Sequence, residues 1–190
     1  GENSHTIVGD MDVNANLEMV DNYEVSGNVY VQSGCLNINS DRNLITNDDF
    51  RIQSKNEDGS FGKSTGYVRL KAGTKLTVYG DFYTESTTYT YFGDGSASDP
   101  AILELHGNFS QIGKDTHYFQ YTVSGIKTIF AGDSEQHISF DRYDNYADLG
   151  QIEVLNAGQA IYLDTPMYRL YPLNDFNIIG NVEIQYLNGS

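Results

Sequence analysis

Three stretches of this 190-residue chain concentrate side chains that could grip a ligand: "TESTTYTYFGDGSASDP" (84–100), "GKDTHYFQYT" (113–122) and "DRYDNYADLG" (141–150). They carry Tyr89, Tyr91, Phe92, His117, Tyr118, Phe119, Tyr121, Tyr143 and Tyr146. Tyrosines clustered on a rigid scaffold stack their ring faces on sugar rings, while phenol and carboxylate groups bond to hydroxyls. The expected ligand-binding residues are Tyr89, Tyr91, Tyr118, Tyr121, Tyr143 and Tyr146. The competing expectation is that these aromatics fold back and cover a sheet face as a satellite core. Because successive residues of a strand point to opposite faces, the two readings can coexist.

Other chemistry reads more weakly. Asp94, Asp99, Asp141, Asp144 and Asp148, with Glu57 and Asp58 in "KNEDGSFG", are hard oxygen donors suited to calcium. None has the spacing of a twelve-residue calcium loop, and the nonapeptide calcium repeat is missing. No cofactor is expected, and calcium stays open without a motif. His5, His106, His117 and His137 are scattered, and no HExxH, GxSxG or Cys–His arrangement accompanies them. The many acids offer pairs for glycoside hydrolysis, yet nothing selects one. No catalytic residue and no metal ligand is therefore assigned. Cys35, the one cysteine, sits between Gly34 and Leu36 in strand-like sequence and reads as a small buried hydrophobe.

The net charge of −15, from 26 acidic and 11 basic side chains, disfavours phosphate backbones and anionic lipid. Nucleic acid and membrane insertion are thus not expected, whereas neutral polysaccharide and cationic groups remain compatible. No stretch approaches the ~20 apolar residues of a membrane-spanning helix.

The elements that must position these side chains announce themselves by repetition. A unit apolar-x-apolar-x-Gly-Asp/Asn-apolar-x-apolar recurs around Gly9, Gly27, Gly80, Gly107 and Gly180. In "LITNDDFRI" Asp48 takes the glycine place, and "IFAGDSEQHISF" keeps Gly132-Asp133. Between copies lie further alternating pairs: Leu17/Met19, Leu36/Ile38, Val68/Leu70, Ile152/Val154 and Ile161/Leu163. Period-two alternation is the strand signature, and no window has helical apolar spacing.

Successive copies lie 18, 21, 32, 27 and 25 residues apart from Gly9 to Gly132, too short for four-stranded propeller blades. The expected fold is an all-β solenoid, like a parallel β-helix, spanning 1–190 with long aromatic loops; the alternative is a β-sandwich. Stacked coils would set Leu76, Val78 and Phe82 over Leu103, Leu105 and Phe109. At each corner Gly would supply a positive φ or a bulge, and its Asp/Asn neighbour would bond the local backbone. Long insertions at equivalent coil positions would leave on one side.

The segment "IKTIFAGDSEQHISFDRYDNYADLGQIEVLNAGQAIYLDTP" (126–166), with "LTVYGDFYTES" and "LELHGNFSQ", resembles repeat regions of surface and secreted proteins of anaerobic Gram-positive bacteria. The resemblance in this segment is carried by Gly125, Lys127, Gly132, Gln136, Ser139 and Phe140, a "GxKxxxxGxxxQxxSF" pattern. The resemblance implies an extracellular β-helical module on a bacterial cell surface within a longer multi-module protein. No catalytic residues carry over from it. The resulting expectation is a non-catalytic binding or adhesion module for a glycan or other surface ligand, neighbouring modules of the same chain being further partners. A structural stalk is the alternative, and a glycan-active enzyme ranks third.

Overall fold

The computed structural model describes residues 3–88, 92–96, 98–113, 125–141, 149–155, 160–167 and 171–182, with backbone alone at Met167, Tyr171, Asn181 and Val182. The six tyrosines expected to bind ligand all lie outside the described residues, as do Asp144 and Asp148.

Short strands wind coil upon coil. The first coil contains β1 (Ser4–Ile7), β2 (Met11–Val13) and β3 (Leu17–Met19), and the second β4 (Asn22–Val25), β5 (Val29–Val31) and β6 (Cys35–Ile38). The third has β7 (Asn43–Thr46), β8 (Phe50–Ile52), a hairpin of β9 (Ser54–Lys55) and β10 (Phe61–Gly62), and β11 (Tyr67–Lys71). Next come β12 (Lys75–Val78), β13 (Phe82–Thr84) and β14 (Gly93–Asp94), then β15 (Ala101–Leu105) and β16 (Phe109–Gln111). The remaining coils hold β17 (Ile126–Phe130) with β18 (Gln136–Phe140), β19 (Gln151–Val154) with β20 (Ala160–Met167), and β21 (Tyr171–Pro172) with β22 (Asn177–Val182).

The first strand of each coil joins eight-stranded sheet A and the second joins eight-stranded sheet B. Strands β3, β6, β11 and β14 make the four-stranded sheet C. Pairing within A, B and C is parallel, and the β9–β10 hairpin is antiparallel. This is a parallel β-solenoid, and the sandwich alternative fails because its sheets would pair antiparallel.

The interior is built of ladders. Leu76 pairs with Leu103 and Val78 with Leu105, while Phe82 lies between Phe50 and Phe109, as the repeat predicts. The three rings stack at 5.3 and 5.6 Å between centroids, and all three are fully buried. Each such pair contributes about 0.5–1.5 kcal/mol beyond the burial of its area. Polar residues that enter the ladder are satisfied across coils: Thr46 Oγ1 donates to the Gly27 carbonyl and Thr128 Oγ1 to the Leu149 carbonyl, both at 2.7 Å.

At the corners the structure bears out the sequence reading in part. Gly9 and Gly180 adopt positive φ, whereas Gly27, Gly80, Gly107 and Gly132 do not. Those four are glycines because the coils approach too closely for a side chain. A Cβ on Gly107 would meet the Gly80 carbonyl oxygen and lie 2.6 Å from Asp81 Oδ1. The neighbouring Asx residues also bond one coil away rather than locally. Asp10 Oδ1 accepts the Asn28 N–H, Asn28 Oδ1 that of Asp49, and Asp49 Oδ1 that of Asp81. Asp81 Oδ1 then accepts the Asn108 N–H, and Asn108 Oδ1 that of His137. Asp48 does not take a positive φ either, so a non-glycine residue is conformationally admissible at that corner.

Candidate binding faces

Outward positions alternate with the ladders, so each sheet offers an outer face. On sheet B one row runs Asp12, Tyr30, Arg51, Tyr83, Ser110 and Ser139. The hairpin of residues 54–62 closes the first half of this row. Phe61 stacks on Tyr30 at 5.8 Å, Lys55 lies 4.7 Å over the same ring, and Tyr30 is left 5% exposed. The Arg51 guanidinium is held between Tyr83 at 3.8 Å and Phe61 at 4.3 Å, and Asp49 binds it at 2.7 Å. Burial, together with the bond its hydroxyl donates to Asp81 Oδ2, pushes the Tyr83 phenol above its ordinary pKa. This stack is a satellite core and presents no free aromatic platform.

Sheet A differs. Tyr79 is 51% exposed and stacks on His106 of the next coil at 4.4 Å. His106 Nε2 lies 3.2 Å from Glu104 Oε1, and Lys75 Nζ lies 2.6 Å from Glu104 Oε2. Burial pushes the Glu104 carboxyl up, but the bonds from Lys75 and His106 outweigh it and hold the group below its ordinary value. The result is a stacked aromatic pair flanked by a fixed carboxylate and an ammonium. The exposed part of Tyr79 can contact a sugar ring while the charged groups bond its hydroxyls.

The sequence reading passed over this pair, although it carried the signal. With Leu76, Val78, Leu103 and Leu105 inward, period two turns Tyr79 and His106 outward, and the Gly80 and Gly107 corners align them.

Of the aromatics in the three insertions, Phe92 is described, and it is buried edge-on against Phe82 at 5.9 Å. The strand ends that precede these stretches are stacked: Thr84 pairs with Gln111, and Gln111 with Phe140. The sheet A strands that follow them are stacked too, since Ile102 pairs with Lys127, and Lys127 with Gln151. After Thr84 the first stretch stays on the solenoid, where Ser86 bridges to Ser64 and Gly93–Asp94 joins sheet C.

The remaining expectations resolve as follows. His5 pairs with Asp21 at 3.2 Å and His137 with Asp164 at 2.8 Å, so with His106 each described histidine has a carboxylate partner on the surface. Asp58 Oδ1 accepts bonds from the Ser60 N–H and Oγ, and Asp141 Oδ2 accepts the Gly113 N–H. Among the described residues no three His, Cys, Asp or Glu side chains converge to hold a metal ion. Also among them, no helix is long and apolar enough to cross a membrane. Cys35 is buried as expected, but on the outer side of sheet C; burial pushes its thiol pKa up.

The pattern matched at residues 125–140 is accounted for by stacking. Gly132 has no room for a Cβ beside the His106 carbonyl, and Lys127 Nζ reaches Glu153 at 3.0 Å. Gln136 donates to the Leu105 and Gly107 carbonyls and accepts the Gly132 N–H; Ser139 Oγ donates to Ser110 Oγ, and Phe140 is buried. No family model, no curated protein and no solved structure matches the chain.

Proposed function

We propose that this chain is a non-catalytic, extracellular binding or adhesion module of a bacterial surface protein, and that its ligand is a glycan. The observation that supports the reading is the register of Thr84, Gln111 and Phe140, which stacks the strand ends that precede the three tyrosine-rich stretches. Tyr89, Tyr91, Tyr118, Tyr121, Tyr143 and Tyr146 belong to those insertions and are the contact residues of the proposal. The exposed Tyr79–His106 pair offers a second platform on sheet A.

A structural stalk is the second reading. Phe92 and Tyr30 favour it, since both aromatics are spent on packing.

The test is retention on a panel of insoluble polysaccharides by the parent chain, a Tyr89/Tyr91/Tyr118/Tyr143→Ala variant and Tyr79→Ala, all matched for folding. Retention lost in the loop variant supports the insertions as the contact surface. Loss in Tyr79→Ala alone moves the contact to sheet A. Absence of retention on every polysaccharide overturns the glycan reading in favour of the stalk.

A further inference from the structure

We propose that a groove on the outer face of sheet C binds a small molecule carrying a primary ammonium beside a carbonyl or carboxylate oxygen. This site is separate from the glycan surfaces above and does not rest on them. The groove encloses ≈ 290 Å³ and is lined by Asn16, Leu17, Glu18, Cys35, Asn37 and Arg69. That is at the lower end of small-molecule pockets, about 300 Å³, and suits one compact ligand rather than a polymer.

Its chemistry follows from the register. Glu18 pairs with Asn37 and Asn37 with Arg69, so a carboxylate, an amide and a guanidinium stand on three successive strands. Strand spacing puts the outer two backbones about 10 Å apart. Asn37 Nδ2 donates to Glu18 Oε1 at 3.0 Å, which fixes the amide orientation. Its Oδ1 atom is then buried with no hydrogen-bond partner among the described residues. A buried acceptor without a donor is unfavourable, and an ammonium that takes over Glu18 releases the amide from Oε1, so that its broad terminal torsion can bring Oδ1 toward the groove. Asn16 Oδ1 already accepts the Cys35 N–H at 2.9 Å and keeps a second lone pair.

The groove therefore offers acceptor oxygens from Glu18, Asn37 and Asn16, which match the three donors of an ammonium. A neighbouring oxygen of the ligand meets Arg69, on the third strand of the groove. The net charge of −15 draws the cationic end inward. Free amino acids and the amino terminus of a peptide share this chemistry.

The test is a titration of the folded chain, followed by backbone amide resonances, with L-leucine, Leu-Gly-Gly, N-acetyl-L-leucine and glucose. Saturable shifts at Glu18, Cys35, Asn37 and Arg69 are expected with L-leucine but not with N-acetyl-L-leucine or glucose. Equal binding of Leu-Gly-Gly identifies a peptide amino terminus as the ligand; binding of L-leucine alone identifies a free amino acid. Glu18→Gln, at a side chain 63% exposed, should fold normally and weaken binding by about tenfold or more. Asn37→Leu should keep or raise thermal stability and abolish binding. No saturable shift with either amine, equal binding of N-acetyl-L-leucine or glucose, or unchanged affinity in Glu18→Gln would each overturn the assignment.

Discussion

The carboxylate oxygen Oδ1 of Asp81 accepts the backbone N–H of Asn108, one coil further on, at 2.7 Å. The other oxygen of Asp81 accepts the Tyr83 hydroxyl at 2.9 Å. One side chain thus joins a corner of the next coil to an outer ring of its own. The same link recurs from Asp10 to His137, so the corners are tied by side-chain-to-backbone bonds running parallel to the sheet ladders.

Asp81→Ala should lose about 1–3 kcal/mol, because the Asn108 N–H is left without its acceptor. Asp81→Asn keeps an oxygen in the same place and should cost less than half as much. Urea unfolding of the two variants beside the parent chain checks this; equal losses would show that charge, not the acceptor, matters.

Gly107→Ala tests the close approach of the coils. The added methyl meets backbone oxygen and a ladder carboxylate, and overpacking of this kind costs about 1–3 kcal/mol. Gly9 is a contrasting case, with φ of 95° and open space around its missing Cβ. Its replacement by Ala should be penalised through backbone conformation alone, so a compensating deletion in a neighbouring side chain should rescue neither its stability nor its melting temperature.

Phe82→Ala removes the ring between Phe50, Phe109 and the edge contact from Phe92. A loss of about 3–5 kcal/mol is expected from chemical denaturation, with Phe82→Leu retaining a good part of it.

Acid should weaken the fold through Glu104 and Asp10. Hydrogen bonds from Lys75 and His106 outweigh burial at Glu104, and the Asn28 backbone bond is the chief cause at Asp10; both carboxyls are held below their ordinary values. Their contribution is fully present above the unfolded carboxylate pKa and is lost as pH falls through the lower folded values. Glu104→Gln should flatten the acid limb of a stability–pH curve relative to the parent. A limb of unchanged steepness would remove Glu104 from the account.

Phe61→Ala should uncover Tyr30. Peptide mapping after tyrosine nitration would then show Tyr30 modified at a rate approaching that of Tyr79, whereas in the parent chain it is protected.

The repeat made the ladders legible because an interior rung needs only period two and a fixed corner, both of which are local in sequence. Leu76, Val78 and Phe82 could therefore be aligned with Leu103, Leu105 and Phe109 before any coordinates. The direction of the Asx bonds was not legible, since Asp81 can cap its own turn or the next one, and only coil spacing decides. Nor could the hairpin over Tyr30 be read: Phe61 and Tyr30 meet through a long-range fold-back that alternation does not encode. The tyrosine-rich insertions stood out by composition, yet Phe92 turns inward because Phe82 offers it an edge contact. Tyr79 and His106 were overlooked because attention went to the segments that interrupt the pattern rather than to its outward half.

Sheet B strands end in register at Thr84, Gln111 and Phe140, and the next sheet A strands resume in register at Ile102, Lys127 and Gln151, so differences in the length of chain between them fall on one seam of the solenoid. Neither large sheet senses how many residues pass between exit and return, and each doubling of such a connection adds only about 0.6 kcal/mol of closure entropy. A change of length or composition along that seam therefore leaves the rungs of sheets A and B as they are.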